Sequence, residues 1–319
     1  MLRAILLYLS SATWARNLVC NLPFVSRAAS RFVAGETWEQ ALQVIRTLND
    51  DGLLVTIDHL GENTSTIEEA QSSAETYRFL LHEIQRTGIK ASISLKLTQL
   101  GLNLDQELCW NLLHNIILTG SEVDIFVRID MEDSGAVDST LDLFERLNNE
   151  NLTNTGLVIQ SYLYRSIEDT EKLLRIPTPI RLVKGAYNEP HEIAYRRKSD
   201  TDKAFDQLTG MMIKAAVKDG ARPAAEDGRY PPLTALGTHD ENRINYGIRM
   251  AKEEGLPESA LEIQMLHGIR TEYQRSLAND GYPVRVYVPY GTEWYPYFTR
   301  RLAERPANIW FILSNLFKR

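Results

Sequence analysis

Short apolar runs alternate with amphipathic helical segments from about residue 53 to residue 303. The runs are rich in β-branched and aliphatic side chains, and the segments between them place apolar residues at spacings of three and four. The eight predicted strands lie at residues 53–57, 89–97, 123–129, 156–160, 180–184, 233–238, 261–266 and 284–288. Eight strands that each precede a helix predict an α/β fold of the TIM-type (β/α)8 barrel class. A doubly wound sheet is the alternative, but it usually has fewer strands.

Residues typical of helix ends support these boundaries. Ser65 and Glu68 have the spacing of a capping box before the first barrel helix, and Gly88 is expected to end that helix. Asp240 is expected to cap the helix that follows the sixth strand.

The chain is predicted to divide into an N-terminal helical extension, residues 1–52, and a barrel domain, residues 53–319. Residues 1–9 have one arginine before a short apolar stretch, as a signal peptide does, but the helical pattern that continues to residue 32 favours an amphipathic helix packed on the protein or on a partner. The apolar segment at 310–317 could dock on the fold or touch a membrane surface. No apolar run reaches the ~20 residues of a membrane span.

Charge, cysteine content and missing motifs exclude several classes of protein. Lys and Arg number 35 and Asp and Glu 42, a net charge of −7 without a basic tract, so we expect no nucleic-acid partner. The two cysteines, Cys20 and Cys109, form no CxxC pair, which argues against a disulfide framework or a cysteine-based zinc site and fits a reducing compartment. GxGxxG, GxxxxGK[ST], HExxH and GxSxG are absent, so Rossmann-type dinucleotide binding is unsupported.

Polar residues are concentrated at the carboxyl ends of the predicted strands, where barrel enzymes carry their catalytic groups. These strand ends are Asp58, Lys96, Asp130, Gln160, Lys184, His239, His267 and Tyr287. Polar residues are also common where strands pass into loops, and this explains part of the pattern. It explains less well why two lysines would face the same small barrel mouth. His59, His239 and His267 could meet there as metal ligands, but no close spacing supports this, and we expect hydrogen-bonding histidines and no metal.

The last predicted helix carries Tyr297, Arg300, Arg301 and Glu304 on one face, at i, i+3, i+4 and i+7. Two guanidinium groups beside Lys96 would over-neutralise a single carboxylate, which suits an amino-acid substrate. The alternative is a solvated face on which one arginine pairs with Glu304.

Seven segments carry a resemblance to a known enzyme family. They are DHLGE at 58–62, SLKLTQLG at 94–101, RIDMED at 128–133, RLVKGAY at 181–187, GTHD at 237–240, EIQMLHG at 262–268 and YGTEWYPYFTRRLAERPAN at 290–308. In this order, over about residues 30–308, they resemble proline dehydrogenase, the FAD-dependent barrel enzyme, and most closely its short single-function bacterial members. The resemblance implies oxidation of L-proline to Δ1-pyrroline-5-carboxylate, the first step of proline degradation to glutamate, with electrons passed to a membrane quinone.

The resemblance also implies a set of substrate-binding residues. Lys96, Arg300 and Arg301 match the residues that hold the proline carboxylate. Glu62 matches a residue that pairs with Arg300 as a gate over the substrate. The wall that packs on the pyrrolidine ring corresponds to Leu266, Tyr287 and Tyr297. Without the resemblance, the leucine and the first tyrosine would be interpreted as plain core.

The resemblance also implies catalytic residues and residues that bind FAD. Asp130 and Arg181 match catalytic residues, with Arg181 at the flavin N5 edge, where positive charge stabilises the reduced, anionic flavin. The alternative for Arg181 is an ion pair with Asp130 inside the barrel. Strand alternation points Arg181 and Lys184 to opposite faces unless a twist or bulge intervenes, and Gln160 is expected at the pyrimidine edge. The implied FAD contacts are Met131, Gln160, Arg181, Lys184, Gly185, Ala186, Thr238, His239 and Gln264.

The quinone acceptor implies a cytoplasmic protein with peripheral contact to the inner membrane, and whether it forms a homo-oligomer is left open. Two other functions are kept as alternatives. A Schiff-base aldolase would use Lys96 or Lys184 as its nucleophile and would need no flavin. A barrel that has lost its activity and binds a partner would be expected to have broken site motifs.

Overall fold

The computed structural model describes residues 29–304, with side chains as far as residue 301. Eight parallel strands close into a barrel in chain order, and β8 pairs with β1. The strands are β1 (Leu54–His59), β2 (Ala91–Leu95), β3 (Val127–Ile129), β4 (Thr155–Gln160), β5 (Ile180–Val183), β6 (Thr234–Gly237), β7 (Leu261–Leu266) and β8 (Val284–Tyr290). The predicted (β/α)8 barrel is therefore confirmed.

A helix follows every strand, and one helix precedes the barrel. The α-helices of the described residues are α1 (Trp38–Asp50), α2 (Ile67–Thr87), α3 (Gln106–Glu122), α4 (Val137–Asn149), α5 (Ser166–Leu173), α6 (Lys198–Lys218), α7 (Glu241–Glu254), α8 (Thr271–Asn279) and α9 (Trp294–Glu304). Short 3₁₀ turns lie at Leu97–Leu100, Ser134–Ala136 and Glu258–Ala260.

Helix α1 takes a place on the outside of the barrel, and α9 lies across the barrel mouth. Trp38 of α1 packs on Tyr290 of β8, with ring centroids 6.3 Å apart. On α9, Trp294 and Phe298 form an apolar cluster with Phe32 of the segment before α1. The opposite face of α9 is thereby turned toward the carboxyl ends of the strands.

The strand predicted at 123–129 is shorter than its apolar run suggested, since β3 begins only at Val127. Val123 is the C-cap of α3, and its N–H bonds to the carbonyl of Thr119. Asp124 has a φ of 56°, a left-handed conformation that an extended strand does not contain. The first part of the run is therefore the exit from a helix.

The predicted capping box is displaced by one residue. Thr66, not Ser65, is the N-cap of α2, and Glu69, not Glu68, is its reciprocal partner. The sequence allows both pairs. In the structure Thr66 Oγ1 accepts the N–H of Glu69 at 3.2 Å, and Glu69 Oε2 accepts the N–H of Thr66 at 3.3 Å. Gly88 ends this helix in a left-handed conformation, as predicted.

The apolar core lies between the strands and the helices, whereas the barrel interior is polar. Arg285 and Glu262, the second residues of β8 and β7, form an ion pair that is almost fully buried. Arg181 and Asp130 form another, closer to the carboxyl ends of the strands. A buried charge is tolerated only when it is paired and hydrogen-bonded, so these pairs fill space that branched apolar side chains usually occupy in such barrels.

Residues 1–28 of the predicted N-terminal extension and the apolar segment at 310–317 lie outside the described residues. The domain division at residue 52 stays a prediction. Within residues 29–304, no helix is both long enough and apolar enough to cross a bilayer.

Candidate active site

A cavity of about 420 Å³ opens at the carboxyl ends of the strands, beneath α9. It collects side chains from β1 to β8 and from the loops after them, as a barrel active site does. The predicted site residues that line it are Glu62, Lys96, Asp130, Met131, Arg181, Lys184, Gly185, Ala186, Thr238, His239, Gln264, Leu266, Tyr287, Tyr297, Arg300 and Arg301. Residues from distant parts of the chain therefore converge on one site.

Lys96 lies directly after β2 and is almost completely buried at this cavity. Its Nζ donates to Asp58 Oδ2 at 3.1 Å. Burial acts to lower the pKa of Lys96, but the nearby carboxylates of Asp58, Asp130 and Glu62 outweigh it and raise the pKa above its ordinary value. Lys96 is therefore a fixed positive charge in the cavity wall.

Two arginines of α9 face the same cavity. Arg300 donates from Nη1 to Glu62 Oε2 at 2.9 Å and from Nη2 to the other carboxylate oxygen, which is the pair expected from the sequence. The guanidinium carbon of Arg301 lies 5.2 Å from the ring centroid of Tyr297. The side chain of Glu304, the alternative partner for these arginines, lies outside the described residues.

The Glu62–Arg300 pair also borders a second, outer cavity. That cavity lies between the loop after β1 and the start of α9, and it shares Glu62, Tyr297 and Arg300 with the cavity at the strand ends. The ion pair thus separates the two spaces.

Arg181 is the centre of a buried network inside the cavity. Its Nη1 donates to Asp130 Oδ1 at 2.8 Å, and its Nε donates to Gln264 Oε1. Asp130 also accepts hydrogen bonds from Ser94 Oγ at 2.6 Å and from the Tyr287 hydroxyl at 2.9 Å. Burial and the charge of Asp130 raise the pKa of Tyr287 well above its ordinary value, so this hydroxyl keeps its proton. The network holds one guanidinium group rigidly at the floor of the site.

Comparisons with known proteins agree on one family. The family model for proline dehydrogenase matches residues 41–312. Proline dehydrogenase 1 of Bacillus subtilis (strain 168) is 40% identical over 91% of this chain and 91% of its own length. This chain belongs to the proline dehydrogenase family. Proline dehydrogenase of Deinococcus radiodurans is 38% identical, over 91% of this chain and 90% of its own length, so the chain corresponds to the short, single-function type.

A solved structure of a larger protein shares the fold of this chain. It is proline utilization A (PutA) from Bdellovibrio bacteriovorus inactivated by N-propargylglycine, with a TM-score of 0.77 and 26% sequence identity. The match covers 87% of this chain but only 32% of that larger chain. The likeness therefore concerns the barrel and not the remainder of the larger protein.

Lys184 follows β5 and points toward α6 and α7. The alternation of side chains along a strand would have pointed Lys184 away from Arg181, but β5 ends at Val183, so this rule does not apply to Lys184. Both side chains line the cavity. Lys184 Nζ donates to Asp202 Oδ1 at 2.5 Å and to Asp240 Oδ2 at 2.6 Å. Burial acts to raise the pKa of Asp240, but the hydrogen bond from Lys184 outweighs it and lowers the pKa to about 2.

Asp240 caps α7 as predicted, because its side chain accepts the N–H of Asn242 at 3.1 Å. The neighbouring His239 accepts the N–H of Leu266 at its Nε2, 3.0 Å away. The ring of His239 is thus held by a hydrogen bond, and within residues 29–304 no group of three or more His, Cys, Asp or Glu side chains could hold a metal ion.

Gln160 is the predicted site residue that the structure does not bring to the cavity. Its Nε2 donates to the carbonyl of Glu132 at 2.6 Å, and its Oε1 is buried without a hydrogen-bond partner. The side chain turns toward the loop after β3, and its expected contact with the flavin stays a prediction.

Two cavity residues with polar side chains, Asp58 and Tyr187, were absent from the predicted site. Asp58 had been noted as a polar strand end, but its ion pair with Lys96 depends on the register of β1 against β2 and was not foreseen. Tyr187 ends the RLVKGAY segment and lines the cavity. Burial and then the charge of Glu132 raise its pKa, and its place in that segment was the available signal.

Neither lysine of the cavity fits the aldolase alternative. A Schiff-base lysine must be deprotonated to attack, which requires a lowered pKa. The pKa of Lys96 is raised instead, and Lys184 is held by two aspartates.

Proposed function

We propose that this protein oxidises L-proline to Δ1-pyrroline-5-carboxylate, with FAD as the hydride acceptor and a membrane quinone as the final electron acceptor. The observation that carries the proposal is the cavity in which Lys96, Arg300 and Arg301 lie above the buried Arg181–Asp130 pair. Membership of the proline dehydrogenase family supports the substrate.

The three cations suit the carboxylate of an amino acid. A guanidinium group binds a carboxylate through two parallel hydrogen bonds, and an ammonium group adds a compact point charge. Since Glu62 already neutralises part of the charge of Arg300, one substrate carboxylate would leave the site close to balanced. The side chains that would pack on the proline ring are Leu266, Tyr287 and Tyr297.

The side of the cavity formed by β5, β6 and β7 fits a flavin nucleotide. Gly185 has a φ of 112°, and a Cβ there would lie 2.3 Å from the ring of Tyr162, so the turn into the cavity requires glycine. Further openings continue from the cavity past Lys184 on one side and past Thr238 and His239 on the other, as an elongated dinucleotide needs. The residues proposed to hold FAD are Gln160 at the end of β4 and, in the cavity wall, Met131, Arg181, Lys184, Gly185, Ala186, Thr238, His239 and Gln264.

FAD would supply the redox chemistry as the acceptor of a hydride from the carbon next to the proline nitrogen, and the nitrogen would release a proton. The protein holds that carbon at reacting distance by fixing the carboxylate and the ring. Arg181 would supply a fixed positive charge that stabilises the reduced flavin, and Asp130 keeps the guanidinium oriented. The Glu62–Arg300 pair lies between this cavity and the outer one, and it would cover the outer side of a bound substrate.

The final electron acceptor and the location follow from the same proposal. A quinone dissolved in a membrane requires the enzyme to contact the membrane surface, so we propose a cytoplasmic protein that associates peripherally with the inner membrane. The domain boundary at residue 52 and the formation of a homo-oligomer are two further hypotheses.

A visible spectrum of the purified protein tests the function. We expect an oxidised flavin spectrum that is bleached by L-proline under anaerobic conditions, restored by a quinone, and lost irreversibly with N-propargylglycine. A folded protein without flavin would contradict the cofactor. Flavin that L-proline does not bleach would contradict the substrate, and a borohydride-trapped lysine adduct would support the aldolase instead.

A further inference from the structure

A chain of buried polar side chains leads from the amino ends of the strands to Arg181. Arg285 and Glu262 form a two-point ion pair, with Nε–Oε1 and Nη2–Oε2 distances of 2.9 and 3.0 Å. Gln264 Nε2 donates to Glu262 Oε1 at 2.5 Å, and Gln264 Oε1 accepts from Arg181 Nε. All four side chains are buried.

The orientation of the Gln264 amide decides whether Arg181 has an acceptor there. An amide presents an oxygen on one side and an NH₂ group on the other, whereas a guanidinium group can only donate. The carboxylate of Glu262 can only accept, so it takes the NH₂ group and turns the amide oxygen toward Arg181. The reversed amide would set donor against donor at Arg181 and acceptor against acceptor at Glu262.

Arg285 fixes the position of Glu262 through the backbone. Its Nη1 donates to the carbonyl of Val55 at 2.9 Å and to the carbonyl of Gly228 at 2.8 Å. Its other two donor nitrogens bind Glu262, so the guanidinium has no freedom to turn. The direction of the Gln264 amide is therefore set by the barrel wall itself.

We propose that Glu262, held by Arg285, is a positioning residue that orients the guanidinium of Arg181 through the amide of Gln264. Asp130 holds Nη1 of that guanidinium and Gln264 holds Nε, so two separated points define its direction. This inference rests on the proposed function, because the guanidinium acts on the flavin.

A double-mutant cycle tests the inference with the flavin-containing protein. In Glu262→Gln the residue at 262 can present a donor or an acceptor, and the preference for one amide orientation disappears. We expect kcat with L-proline to fall about tenfold or more, the KM to change less than threefold, and the flavin reduction potential to fall. In a Gln264→Ala background, Glu262→Gln should shift the potential no further, because the connecting amide is gone.

Matched variants separate positioning from stability. Arg128→Met removes another fully buried arginine, which donates to the carbonyls of Leu157 and Pro179, so it should lower the melting temperature without the same shift in potential. If Glu262→Gln alone does not fold, the pair Glu262→Gln and Arg285→Met leaves no unpaired buried charge and should reproduce the shift.

An unchanged potential and kcat in a folded Glu262 variant would overturn the inference. An equal shift with and without Gln264 would overturn it as well. A wild-type protein that L-proline does not reduce would contradict the proposed function instead.

Discussion

Replacement of Arg301 by methionine tests the proposed carboxylate site most directly. Methionine keeps much of the length and apolar surface of the side chain and removes its charge and donors. Arg301 lies on the cavity-facing side of α9, with its guanidinium carbon 5.2 Å from the Tyr297 ring centroid. The change therefore removes one of the three cations without opening a space in the core.

The expected magnitude follows from the local environment. A hydrogen bond to a charged group is worth about 1.5–3 kcal/mol when its partner is otherwise unsatisfied, and ~1.4 kcal/mol corresponds to tenfold in affinity. We expect the KM for L-proline to rise by about 10- to 100-fold.

Steady-state dye reduction with L-proline measures the KM, and the visible spectrum measures the flavin content. Flavin content should persist, since Arg301 is proposed to contact the substrate and not the cofactor. Arg275→Met is the matched control, because Arg275 pairs with Asp51 and Glu272 on the outer surface, and its kinetics should equal those of the wild type. A KM for Arg301→Met within twofold of the wild-type value would refute the proposed placement of the carboxylate.

Three other predictions concern the flavin side and the pH dependence. Arg181→Met should lower the flavin reduction potential more than the affinity for proline, and an unchanged potential in an equilibrium dye titration would contradict this. Gly185→Ala should cost flavin content because its Cβ would meet Tyr162, whereas Gly220→Ala, with a φ of 87° and open space, should keep its flavin in the absorbance ratio. Burial lowers the pKa of His267 to about 4. In the unfolded chain the imidazole is protonated below about pH 6.5. The free energy of unfolding should therefore fall, by up to about 3 kcal/mol, as the pH drops from 6.5 toward 4. In urea titrations His267→Asn should lack this part of the acid loss, and identical profiles would contradict the assignment.

The barrel could be predicted from the sequence because strands and helices differ in the spacing of their apolar residues, and the folded protein retains that spacing. The prediction is less accurate where two elements meet. The run at 123–129 is apolar throughout, yet Asp124 turns the chain out of α3 within it. Ser65 and Thr66 are both good N-caps, and the choice depends on where Glu69 can bond back.

The residues of the candidate site were predictable by type and segment, but their pairing was not. Lys96 and Asp130 follow neighbouring strands, β2 and β3, so the order of the strands alone would allow a direct contact between them. In the structure Lys96 turns to Asp58 on the other side, while Asp130 is occupied by Arg181, Ser94 and Tyr287. The choice among partners depends on the closure of the barrel, which joins β1 to both β2 and β8 and is not a local property of any segment.

The polar interior links the stability of this barrel to its proposed chemistry. Arg285 and Glu262 are almost fully buried, and removing either alone leaves an unpaired charge, which typically costs about 3–5 kcal/mol. An apolar pair of the same volume could fill that space at similar stability, but it would give the Gln264 amide nothing to bind. The charged pair at the amino ends of β7 and β8 thus has two roles in our proposal: it orients Arg181 through Gln264, and it binds the barrel wall at the carbonyls of Val55 and Gly228.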